Sequence, residues 1–124
     1  MDKVLLNTMQ ALRELNWPEE IIFAGNSDGA TWIHYYVSEL LEYKIPVKYL
    51  VHYGGLEAKS PYNKVVDSVV PFICHGANDR IKRIKRDTAI VANDYNESLY
   101  HVHGGHKWDS RNNMIIRKTL GVKE

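Results

Sequence analysis

Three residues of this sequence can do chemistry together if the fold brings them to one place. Ser27 lies in Gly25-Asn26-Ser27-Asp28-Gly29, a G-x-S-x-G pentapeptide between the apolar run Ile21 to Ala24 and a helical pattern. A serine hydroxyl is a weak nucleophile at neutral pH, so it needs a base to take its proton and a third group to fix the tautomer of that base. His106, in His103-Gly104-Gly105-His106, is a base of the right kind, and Asp79, in His75-Gly76-Ala77-Asn78-Asp79, is a carboxylate that could orient it. The pentapeptide spacing has its own logic. A serine on a tight strand-to-helix turn is expected to need small neighbours, because side chains at the two flanking positions would meet backbone, and the turn aims the hydroxyl at a helix N-terminus that favours developing negative charge.

Positioning those side chains requires elements that end on a common edge. Leu5, Met9, Leu12 and Leu15 recur at helical spacing and predict a helix that stops near Trp17-Pro18, since a proline disfavours helical geometry in the residue before it. Ile21 to Ala24 predicts a short strand, and Trp32, Ile33, Tyr36, Val37, Leu40 and Leu41 restore a 3.6-residue period after the elbow. Val47 to Tyr53 reads as a second strand ending at Gly54-Gly55, and Val69 to Cys74 as a third ending at His75-Gly76. A helix follows with Ile81, Ile84, Val91 and Tyr95 on one face, then a strand from Ser98 to Val102, then a helix from Ser110 to Leu120 stopped by Gly121.

Apolar strands alternating with helices predict an α/β fold: a three-layer sandwich around a mainly parallel four-stranded sheet. Ligands of such sheets bind beyond the carboxyl ends of the strands. All four predicted strands run into segments containing Gly, Ser, Asp or His, so the polar chemistry is expected on one edge.

The totals fit one domain spanning residues 1–124. The 124 residues carry 16 basic and 15 acidic side chains and are 44% hydrophobic, a balance that points to neither nucleic acid nor membrane. Cys74 is the single cysteine and sits among Val70, Phe72 and Ile73, so it reads as a small buried hydrophobe, no intrachain disulfide can form, and the cytoplasm is the expected compartment. The segment Met1-Asp2-Lys3-Val4-Leu5-Leu6-Asn7 breaks its apolar run too early for a signal peptide.

Each of these residues also has a plainer reading. Asp79 could cap the helix that begins near Arg80, and Asp28 is read as a first-turn helix residue complementing the dipole. Lys82, Arg83, Lys85 and Arg86 lie opposite Ile81 and Ile84 and read as a solvated helix face. Trp32, Tyr35 and Tyr36 could line an acyl pocket or pack in the core, and Tyr53 and Trp108 are candidates for substrate contact. His101-x-His103-x-x-His106 with Asp109 is an alternative, metal-binding constellation that leaves the elbow and Asp79 unexplained.

The blocks Trp17 to Ala30, Val51-His52-Tyr53-Gly54-Gly55, Val70 to Asp79 and His103-Gly104-Gly105-His106-Lys107-Trp108 together resemble the C-terminal half of the α/β-hydrolase superfamily. The resemblance is nearest to the carboxylesterase, phospholipase and acyl-thioesterase branch, in which the chain order is serine, acid, histidine. It implies that Ser27 attacks an acyl carbonyl of a small ester or thioester, that His106 moves the proton, and that Asp79 orients His106, with no metal or organic cofactor. It also implies an oxyanion donor in the main-chain N–H of Asp28, with Asn26, Tyr53 and Trp108 as neighbouring oxyanion or binding positions. Only 26 residues precede Ser27, so the fold is expected to be truncated, without the earlier strands and the loop that carries the second oxyanion donor. Loss of one donor costs about a hundredfold to a thousandfold in rate, so a catalytically weak or inactive binding module remains the alternative function. The open sheet edge left by the truncation predicts a homodimer or a partner chain that completes the sheet.

Overall fold

A computed structural model describes residues 2–123; Met1 and Glu124 lie outside the described residues. Helix α1 (Lys3–Glu14) starts where the Asp2 carboxylate accepts the Val4 N–H at 2.7 Å, and it turns Leu5 and Leu12 into the core. Leu15, expected on the same face, is the C-cap residue and is 68% exposed, because the chain has left the helical path by then. Strand β1 (Ile21–Asn26) runs two residues beyond its predicted end and delivers Ser27. The helix after the elbow is broken into α2 (Asp28–Thr31) and α3 (Ile33–Glu42), where Trp32 departs from helical geometry at φ −99° and ψ 7°.

Strand β2 (Val47–Tyr53) matches its predicted bounds, and β3 (Val70–Gly76) continues past Cys74. Helix α4 (Lys82–Asp94) buries Ile84, Asp87, Thr88 and Val91. Ile81, expected on that face, is instead its N-cap and is 45% exposed. Lys82, Arg83, Lys85 and Arg86 are exposed, with Arg83 and Arg86 reaching Asp87 at 3.9 and 3.1 Å. Strand β4 (Tyr100–Val102) is two residues shorter than predicted at its start. A 3-10 turn (Ser110–Asn112) then leads into α5 (Asn113–Leu120), which ends at Gly121 with φ 75°, a left-handed stop.

The sheet has the order β1-β2-β3-β4, and all three pairings are parallel. Helices cover both faces. Leu5, Leu12, Val37, Leu40 and Val91 pack on one side with Leu50 and Ile73, while Ile116 and Leu120 of α5 pack on the other with Val51, Phe72, Cys74 and Val102. Cys74 is fully buried, and burial pushes its thiol pKa up, in keeping with a packing role. No helix among the described residues is long and apolar enough to cross a membrane. The parallel arrangement puts the carboxyl ends of all four strands at one edge, which is the fold's contribution to the site.

The two sides of the sheet end differently. Just after β4 the buried Asn112 carboxamide takes both main-chain groups of His103: the His103 N–H donates to Oδ1 at 3.0 Å and Nδ2 donates to the His103 carbonyl at 3.0 Å. A side-chain amide thus stands in for a neighbouring strand. On the other side, the Ile21 and Ser27 N–H groups donate to Pro46 and Tyr53, so by alternation Ile22 and Ala24 turn their N–H and C=O groups away from β2.

Beneath the site, His34 and His52 are buried with rings 6.0 Å apart. Nδ1 of His34 lies 2.8 Å from the Tyr95 hydroxyl, which accepts the Val66 N–H, whereas among the described residues neither ring nitrogen of His52 has a hydrogen-bond partner. Burial lowers the His34 pKa to about 4, and burial followed by the nearby His34 lowers that of His52 to about 3. Below pH 6.5 the unfolded chain therefore binds protons that the folded chain refuses. Stability is fully present above that value and falls as the pH drops towards 4, by up to about 1.4 kcal/mol per pH unit for each histidine. Urea denaturation between pH 7.5 and 4 is expected to show this fall, and His52→Phe, which keeps a ring and removes a titrating group, is expected to flatten it.

Candidate active site

The site begins with backbone geometry. Ser27 has φ 61° and ψ −121°, a conformation rarely held by a residue with a side chain and found at strained functional turns. Two sets of bonds hold it there. Its N–H donates to Tyr53 O on β2 at 3.1 Å, and its carbonyl accepts from Ala30 and Thr31 at 3.0 and 3.1 Å. Gly25 is needed because a Cβ there would collide with the Gly29 carbonyl as the chain doubles back. The parallel expectation for Gly29 is corrected, since a Cβ at that position meets nothing and steric crowding does not require glycine there.

The loops after β3 and β4 meet by the same close approach. A Cβ on Gly76 would strike the carbonyls of Gly104 and Gly105. Ala77 and Asn78 donate across this contact to Val102 and Gly104 at 2.7 and 2.9 Å. The result is a continuous line of side chains: Ser27 Oγ lies 2.8 Å from His106 Nε2, and His106 Nδ1 lies 3.1 Å from Asp79 Oδ2. A carboxylate only accepts, so Nδ1 carries the hydrogen towards Asp79 and leaves the Nε2 lone pair facing the serine hydroxyl. The His106 side chain is 33% exposed and that of Asp79 is fully buried, so the line runs from solvent to interior. The capping reading of Asp79 coexists with this contact: its other oxygen, Oδ1, accepts the Ile81 N–H at 2.9 Å just before α4.

The remaining predicted positions divide. The Asp28 N–H heads α2 with no acceptor among the described residues, so it is free to bind an oxyanion near Ser27. The Asp28 side chain is exposed and borders an apolar cleft of about 310 Å³ lined by Val4, Phe23, Trp32 and Tyr36. Trp32 and Tyr35 both pack edge-on against Tyr62, at 5.3 and 5.4 Å between ring centres.

Two expected roles change, those of Tyr53 and Asn26. Tyr53 cannot contact substrate, because it is fully buried and its hydroxyl bonds to the His103 carbonyl at 3.1 Å and to Asn112 Nδ2 at 2.9 Å. Trp108 stacks on it with ring centres 4.8 Å apart and donates Nε1–H to Asn113, so its ring is tied to the α5 side. The Asn26 carboxamide, expected as an oxyanion or binding group, is taken up within the protein. Its Nδ2 donates to Tyr53 O and His106 O, each at 2.9 Å, and its Oδ1 accepts the Trp108 N–H at 3.0 Å.

The histidine-rich alternative does not assemble. The His101 ring packs against His75 at 4.6 Å, and Asp109 is drawn to Arg111 at 2.6 Å, whose hydrogen bonds hold its pKa down at about 2. Among the described residues no three His, Cys, Asp or Glu side chains form a metal-binding group. Asn112 is the residue that sequence reasoning missed; the Asn112-Asn113 pair suggests a helix start, but nothing in it foretells a carboxamide bridging His103 and Tyr53.

Comparison with protein-family models, with curated proteins and with solved structures returns no match for this chain. The glycine geometry makes a contrast that can be measured. Gly25→Ala is expected to lower stability by about 1–3 kcal/mol through overpacking against the Gly29 backbone. Gly29→Ala, entering open space on a helix, is expected to be neutral or to stabilise by up to about 1 kcal/mol. Chemical denaturation of the two variants beside the parent checks both.

Proposed function

We propose that this chain is a serine hydrolase of carboxylic esters or thioesters, built on an α/β-hydrolase type of fold. The observation that carries the reading is the unbroken contact from Ser27 Oγ to His106 Nε2 at 2.8 Å and from His106 Nδ1 to Asp79 Oδ2 at 3.1 Å. The strained φ of Ser27 on a strand-to-helix turn supports it independently.

The chemistry follows from the positions. Ser27 Oγ attacks the carbonyl carbon as its proton passes to His106 Nε2, and the carbonyl oxygen becomes an oxyanion beside the Asp28 N–H. The buried Asp79 carboxylate stabilises the imidazolium that results. Collapse of the tetrahedral species breaks the bond to the alcohol or thiol, which leaves with the proton from His106. Water then attacks the acyl-serine, with His106 again the base, and releases the acid. The apolar cleft bordered by Asp28 and Gly29 is the natural berth for the acyl chain.

Association along β1 belongs to the same proposal. Among the described residues β1 pairs on one side only, and its outward N–H and C=O groups lie between the cleft already described and a second one of about 190 Å³ lined by Ile22, Ala24, Trp108 and Ile116. A second copy that adds its β1 would cover the second cleft. Light scattering is expected to give twice the chain mass of 14.3 kDa, and Ala24→Pro, which removes an outward N–H without touching the β2 pairing, is expected to return the mass to one chain. A single-chain mass for the parent removes this part of the proposal.

The hydrolase reading is tested by reaction with a fluorophosphonate probe. The parent is expected to label at Ser27, with labelling abolished in Ser27→Ala and His106→Ala and slowed by about 10⁴ in Asp79→Asn, which keeps the shape but favours the wrong tautomer. No labelling of the folded parent would favour a binding module instead.

A further inference from the structure

We infer that Asn26 is a positioning residue that sets where His106 stands relative to Ser27. This rests on the hydrolase reading of the same site, where little else holds the histidine. The His106 side chain is one-third exposed, so close packing does not fix it, and its ring is tied by single contacts to Ser27 and Asp79. Its main chain lies on a loop between Val102, where β4 ends, and Ser110, where the 3-10 turn begins. Asn112 pins that loop at His103, three residues before the base.

Asn26 pins the other half. One amide hydrogen of Nδ2 goes to the His106 carbonyl and the other to Tyr53 O on β2, both at 2.9 Å, while Oδ1 takes the Trp108 N–H at 3.0 Å. The carboxamide therefore grips the loop on both sides of Lys107 and grips the sheet at the same time. Asn26 is also the residue directly before Ser27, so base and nucleophile are referenced to one point of backbone. The residue type follows from the pattern: two donors and one acceptor are needed on a short stem, which asparagine has and aspartate, serine or leucine lacks. With both hydrogens engaged, Asn26 has no donor left for substrate. It acts through His106.

The test compares the parent with Asn26→Ala and Asn26→Asp, the second keeping size and the acceptor for Trp108 while losing both donors. Amide hydrogen exchange of the segment 103–109 is expected to quicken by about tenfold in both variants, with the core strands unchanged. Hydrolysis of p-nitrophenyl acetate is expected to lose about tenfold to a hundredfold in kcat with KM within about twofold, since a displaced base slows chemistry and leaves binding alone. Exchange of 103–109 as slow as in the parent would overturn the inference. So would a kcat within about twofold of the parent's, or a loss confined to KM. Should the parent itself prove inert to ester and fluorophosphonate, the hydrolase reading fails, and the exchange measurement alone still decides whether Asn26 holds the loop.

Discussion

The contact between the loops that end β3 and β4 governs the geometry of the site. Gly76 lies against Gly104 and Gly105 with no room for a side chain between them, and the Ala77 and Asn78 N–H groups donate across the gap. Asp79 and His106 are each carried a few residues beyond that crossing, which is why two groups 27 residues apart meet at 3.1 Å. Interior packing resists small shifts. A methyl group at Gly76 would force the loops apart and lengthen the Asp79–His106 bond before any side chain at the site was touched.

A buried carboxylate is costly unless it is well hydrogen-bonded, and Asp79 shows how that cost is met. Its side chain has no exposure, one oxygen accepts the Ile81 N–H, and the other faces His106. The arrangement fixes the orientation of the histidine ring. Solvent reaches the opposite end, at His106, where a substrate would have to enter. The line of contacts is thus buried at one end and open to solvent at the other.

Asparagine side chains anchor the loops around this line of contacts. Asn112 closes the β4 side as a substitute strand, and Asn26 ties the following loop to β2. Tyr53 joins the two systems: its carbonyl takes Asn26, its hydroxyl takes Asn112, and its ring lies under Trp108. A substrate-binding role was expected for Tyr53 because it ends a strand at the functional edge. Its alternation on β2 instead turns the side chain towards α5, where it is buried.

Much of the fold was readable from periodicity, because β2 and β3 are buried on both faces over most of their length and are mainly apolar there, with Lys48 and Val70 exposed near the strand starts and His52 the buried polar exception. Where elements end was less readable. The break at Trp32, the start of α4 at Lys82 and the three-residue β4 leave no mark in the hydrophobic period, and at α4 the boundary coincides with a polar contact, the Asp79 carboxylate holding the Ile81 N–H two residues on.

The sequence alone determined the alternation of strands and helices and, from it, that Ser27, Asp79 and His106 fall at the carboxyl ends of strands, since parallel strands joined by helices all end on the same side. Only the tertiary structure decided that their atoms meet, that Asn26 grips the histidine loop, that Tyr53 is buried beneath the site, and that Gly25 is required where Gly29 is not. Apart from the Gly25 contact, which spans four residues, those outcomes depend on which groups meet across 27 to 82 residues of chain. A local pattern of residue types carries no information about distance at that range.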